Sequence, residues 1–128
     1  MEYRIDINNE KRYVEVTTQG VASSEGFISF ISELLKPSYM ALGYNLLVEI
    51  SELDTRYLVS ADVGDIVDFL ERHRADLPQK KHAIVAATPL AFGFARMYQI
   101  MAEDYTPMTT RVFGFREQAE NWLLGEDE

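Results

Sequence analysis

Glu49, Glu52 and Asp54 are the first residues to weigh for chemistry, because they stand close together where an apolar run ends. Carboxylate oxygens at that spacing suit a hard cation. A metal needs several converging ligands, and one strand end with its loop offers few directions, so solvated carboxylates are the simpler expectation. Glu49 is the distinctive member. An acid beside Val48 and Ile50 in a strand belongs at an edge, beside a partner or in a cleft. Strand C-termini are also where open α/β sheets bind ligands. His73 and His82 are the only histidines. Neither has a partner at metal-ligand spacing, and no serine stands with them in a triad arrangement. Ser60 precedes an amphipathic stretch, where a hydroxyl suits a helix N-cap. It is also the one candidate phosphosite, since free amides at a helix N-terminus welcome a phosphate. Asp62 and Asp65 would repel that dianion. Gly93 is a lone helical glycine, not part of a phosphate loop. With 21 acids in the chain, carboxylate pairs arise from composition alone. No nucleophile with a base and no acid–base pair stands out, so the residues predict neither an enzyme nor a resident cofactor or metal.

These residues sit in a chain of 128 with 47% hydrophobic and 26% charged content, the balance of one ordinary domain over 1–128. Cysteine is absent, which removes disulfide and thiol chemistry and suits a cytoplasmic location. The charged opening Met1-Glu2-Tyr3-Arg4 does not read as a secretion signal, and no apolar stretch approaches the roughly 20 residues that span a bilayer. The formal net charge of −9 argues against nucleic acid and against electrostatic docking to an anionic membrane.

The elements that must position these groups follow from periodicity. Residues 3–8 and 11–18 alternate with period two around Asn8-Asn9-Glu10, which predicts an antiparallel hairpin ended by Gly20. Ser23 or Ser24 can cap a helix carrying Phe27, Ile31 and Leu34 on one face, and Pro37 opens a loop over 36–44 with a helical turn near 39–42. Residues 45–50 predict a strand with Leu46, Val48 and Ile50 on one side and Leu47 and Glu49 on the other. Val63, Ile66, Val67 and Leu70 mark a second helix. The short run in 81–87 reads as a central strand buried on both faces. Thr88-Pro89 starts a third helix that ends near Ala102. Residues 111–115 predict the last strand, and 116–124 the last helix, with Ala119, Trp122 and Leu123 inward. Residues 125–128 are expected to fray. The order β-β-α-β-α-β-α-β-α predicts an α/β domain with a mixed sheet of about five strands flanked by helices.

The third helix carries the most functional information. A helical wheel places Leu90, Phe94, Met97, Tyr98 and Met101 on a core face, with Phe92, Arg96 and Ile100 opposite. An outer apolar stripe calls for a cover: the 36–44 or 105–108 segments, a second copy of the chain, or a ligand. Gly93 would admit a close approach there.

The strand Leu46-Leu47-Val48-Glu49-Ile50, the run Ala83-Ile84-Val85-Ala86 followed by Phe92-Gly93-Phe94-Ala95-Arg96-Met97, and the ending Arg111-Val112-Phe113 to Trp122-Leu123 resemble the SpoIIAA-like, STAS-type family over nearly the whole chain. The resemblance implies a STAS-like fold, related to that of bacterial anti-sigma-factor antagonists and comparable with a class of lipid-binding domains. In the antagonists a serine of an Asp-Ser-Ser-Gly motif is phosphorylated. Val59-Ser60-Ala61-Asp62 stands at that place, and only Ser60 matches. Two non-catalytic functions follow as expectations. One is a module for a lipid or other small apolar ligand, with residues 23–44 as a lid carrying Phe27, Phe30, Tyr39, Met40 and Tyr44. The alternative is a regulatory protein-interaction domain, with homodimerisation through the outer stripe as a further expectation.

Overall fold

The computed structural model describes residues 1–125, so all of the tail expected to fray, 125–128, except Gly125 lies outside them. Strands β1 (Glu2–Asn8) and β2 (Tyr13–Val21) form the expected antiparallel hairpin, with Glu2 opposite Gln19 and Asn8 opposite Tyr13. The turn closes where the Lys11 amide donates to the Asn8 side chain at 2.9 Å. Gly20 does not end β2. It adopts φ +91°, a left-handed conformation open to glycine, and the strand bends and continues to Val21. The bent end pairs in parallel with a two-residue strand, β4 (Leu53–Asp54).

β3 (Asn45–Glu49), β5 (Lys81–Val85) and β6 (Thr109–Phe113) complete the sheet, in the order β1-β2-β3-β5-β6 with β4 beside β2. All pairings after the hairpin are parallel. This is the mixed α/β sheet that the alternation of strands and helices predicts, with β4 added. Helices α1 (Ser24–Leu34), α2 (Pro37–Met40), α3 (Ser60–Arg72), α4 (Pro89–Ala102) and α5 (Arg116–Leu123) surround it. No helix among the described residues is long and apolar enough to cross a membrane.

The alternation within β3 separates two cores. Val48 and Ile50 join Val16 and Ile84 in a large cluster under α1, α3 and α4. Leu47 joins Tyr13, Ala83, Val85 and Phe113 in a smaller one, closed by Ala119, Trp122 and Leu123 of α5. The inward residues expected of the last helix are therefore in place.

Local signals set most helix starts. Ser23 caps α1, its hydroxyl accepting from the Gly26 amide at 3.0 Å. Thr88 caps α4 in the same way, accepting from Ala91 at 3.2 Å. Pro37 starts α2 rather than preceding it, because its fixed φ suits the first helical position. Two expectations change. Ser60 is the first residue of α3 and not its cap; Val59 takes the cap position, and the Asp62 carboxylate accepts from its amide at 2.9 Å. Leu90 is not in the core but 54% exposed. The buried face of α4 is Ala91, Phe94, Ala95, Tyr98 and Ala102. Three alanines let the helix lie close to its neighbours, which turns the buried stripe away from Leu90 and leaves Met97 and Met101 on its margin.

Candidate functional site

An apolar cavity of about 100 Å³ lies between the large-core face of the sheet and the helices above it. Val48 and Ile84 line it from the sheet. Phe27 and Phe30 of α1 line it from above, packed edge-on with ring centroids 5.6 Å apart. Phe94 of α4 stands 5.5 Å from Phe27 on the same wall. Tyr39, Met40 and Tyr44, from the segment 36–44, also border the space. All five residues singled out in the 23–44 region therefore line one cavity. They come together because α1 packs against β1 and α3, and Pro37 starts α2 directly after it.

Few polar groups reach this lining. Asn45 is occupied: its Nδ2 donates to the Leu123 carbonyl at 3.2 Å and its Oδ1 accepts from the Lys81 amide at 3.0 Å. The Tyr44 hydroxyl donates to Asn9 at 2.9 Å. Lys80 is exposed. His82 and Tyr98 differ. Both are buried and both line the cavity. His82 Nδ1 has one long contact, 3.5 Å to Thr110 Oγ1, and its Nε2 has no hydrogen-bond partner among the described residues. Burial pushes the imidazole down to about 4, so the ring is neutral at pH 7. The Tyr98 ring lies 6.1 Å from it, edge to face. Burial raises the Tyr98 hydroxyl well above its ordinary range, and it too has no hydrogen bond among the described residues.

The residues weighed first for chemistry lie elsewhere. The Glu49 carboxylate accepts from the Ser51 amide at 2.9 Å, a local cap at the C-terminal end of β3. Ser51 Oγ in turn accepts from the Ala87 amide at 3.0 Å, tying that end to the exit of β5. Asp54 pairs with Arg56 through both carboxylate oxygens, at 2.9 and 3.0 Å, and those bonds hold its pKa below the usual range. Among the described residues no group of three metal-ligating side chains converges, so Glu49, Glu52 and Asp54 form no common site. Ser60 is exposed, and Asp62 already occupies the first-turn position beside it. His73 ends α3 with its ring centroid 4.3 Å from that of Phe69. Phe92, Gly93, Arg96 and Ile100 lie on the outer side of α4, with Ile100 65% exposed. Arg96 donates to Gln99 at 3.2 Å, and a Cβ added at Gly93 would meet nothing within 4 Å. This outer stripe and the cavity are on opposite sides of the helix.

Sequence reasoning missed one polar network. Tyr13, 1% exposed, donates to Glu120 at 2.5 Å. Lys11 reaches the same carboxylate at 3.2 Å, while Arg116 forks onto Glu15 and donates to Tyr13 at 3.2 Å. Burial, with the Glu120 bond, raises the Tyr13 phenol. Burial alone would raise Glu120, but hydrogen bonds from Tyr13 and Lys11 hold it below its usual range. The network fastens α5 to β2. Its members are about a hundred residues apart in sequence, so no local spacing reports it.

A crystal structure of an uncharacterized protein of the DUF3478 family from Shewanella loihica PV-4, described as having a SpoIIAA-like fold, superposes with a TM-score of 0.58. The match covers 95% of this chain and 92% of that one, at 22% identity. The chain has a SpoIIAA-like fold. The SpoIIAA-like resemblance read from its strands and from the third helix holds at that level. No protein-family model and no curated protein matches the chain. A SpoIIAA-like fold fixes the sheet order and the helix layer; function has to be argued from the cavity and its lining.

Proposed function

We propose that this SpoIIAA-like domain is a non-catalytic binding module for a small apolar ligand held in the cavity beneath α1, α2 and α4. The cavity itself carries the reading: its walls are aliphatic and aromatic, and they meet beside a short four-residue helix that can act as a lid. An engineered cavity of about 150 Å³ with a similar lining binds benzene; at about 100 Å³ this space suits a short alkyl chain, or a small ring with a slight outward shift of residues 36–44. A long acyl chain would require the 36–44 segment to move outward.

Native mass spectrometry of freshly purified protein tests the proposal. An added mass that is lost on denaturation supports it. Ala95 lines the cavity and is fully buried, so Ala95→Leu should fill part of the space and abolish both the added mass and any thermal stabilisation by small aromatics. A clean mass with no response to such ligands would favour the second reading, a protein-interaction domain. Exposure of Ser60 is the observation on that side. The same spectrum reports whether the outer stripe of α4 pairs two copies.

A further inference from the structure

We infer that His82 and Tyr98 form the polar end of this cavity, and that its ligand is an uncharged hydrophobe with a single hydroxyl head, of phenol or short-chain alcohol size. The inference rests on the binding reading above and adds the class of ligand. Polar groups buried in a protein interior are nearly always paired, so each exception asks for a partner. Here the lining holds one such exception, His82 Nε2, and beside it a tyrosine hydroxyl that no protein group among the described residues engages. His82 Nε2 is buried without a hydrogen bond, and the Tyr98 hydroxyl has none among the described residues. The other polar side chains of the lining are engaged or reach water: Asn45 holds Leu123 and Lys81, Tyr44 holds Asn9, Lys80 is exposed and Tyr39 is only half-buried.

The chemistry of the pair selects the head group. The contact from His82 Nδ1 to Thr110 is long and can run in either sense, so Nε2 is a donor in one tautomer and an acceptor in the other. A phenol hydroxyl such as that of Tyr98 likewise donates or accepts. A ligand hydroxyl also does both, and so satisfies either tautomer. A carboxylate or an amine would bring a charge into a lining with no buried charged side chain to meet it. The aromatic walls from Phe27, Phe30 and Phe94 take the apolar remainder.

Phenol and toluene, matched in shape and differing in the hydroxyl, are the probes. Calorimetry gives their affinities for the wild-type chain and for His82→Leu. Long-range proton–nitrogen NMR of the wild-type imidazoles follows Nε2 directly and needs no variant to fold. Phenol, and not toluene, is expected to shift the His82 Nε2 resonance. His82→Leu is expected to weaken phenol by about tenfold, the scale of one buried hydrogen bond left unmade, and to leave toluene unchanged. Equal binding of both probes with Nε2 unmoved would overturn the assignment of the head group while sparing the cavity. Binding of neither probe would overturn the cavity reading and this inference together. An Nε2 already held by a tightly bound water, which phenol does not displace, would also overturn it.

Discussion

At the scale of single residues, His82 couples the cavity to stability. The native chain keeps this ring neutral to about pH 4, whereas an unfolded histidine titrates near 6.5. Between these values the unfolded chain takes up a proton that the native chain refuses, so stability falls as pH drops from 6.5 towards 4 and levels off below. Between pH 7.5 and 5 the loss from this one group is ~2 kcal/mol. Urea unfolding of wild type and His82→Phe over that range should show the wild type losing about that much more than the variant. Parallel curves would mean the imidazole is solvated enough to titrate normally. The sequence placed His82 correctly at a strand start, but nothing near it announced a cavity. Its surroundings come from α4, β6 and the 36–44 segment, and no periodicity reports what distant segments enclose. Glu49 is conspicuous for the opposite reason, as an acid within an apolar strand, and its Ser51 partner is only two residues away.

At the scale of elements, local chemistry was the most legible layer. Ser23, Thr88 and Pro89 start helices where their side chains dictate, and the period-two stretches became the hairpin. The misreadings share one cause: tertiary contacts outweighed a local signal. β2 passes through Gly20 because β4 is there to receive its end, and α4 is turned by the fit of Ala91, Ala95 and Ala102. Helix α5 shows how much can depend on one side chain. Trp122 packs against Phe113 at 5.7 Å, while the Lys81 and Arg111 cations lie 5.2 and 5.4 Å from its ring. Lys81 also donates to the Trp122 carbonyl at 2.8 Å. Among the described residues this helix alone closes the smaller core, so Trp122→Ala should cost about 3–5 kcal/mol, measured by denaturant unfolding. A loss under ~1 kcal/mol would show that the rest of α5 closes that face without it.

At the scale of the whole molecule, the alternation of elements made the α/β architecture legible, while the enclosed space depended on how the helices settled. The two faces of the sheet are unequal: three long helices and a cavity on one, a single short helix on the other. The hairpin has a further consequence at the border of the sheet. β1 is an outermost strand, and its outward residues include the ion pair Arg4–Asp6 at 2.8 Å. Charges on such a border discourage strand-to-strand growth between molecules. The strand behind it, β2, has Tyr13, Val14, Val16 and Thr18 all buried, and few charges to protect it if uncovered. Shortening the chain to begin at Tyr13 would leave β2 as an adhesive edge. Size-exclusion chromatography should then find soluble aggregates or precipitate where the intact chain runs as a discrete species. β1 is thus a guard strand, whose seven residues keep the interior pairing surface from recruiting another molecule.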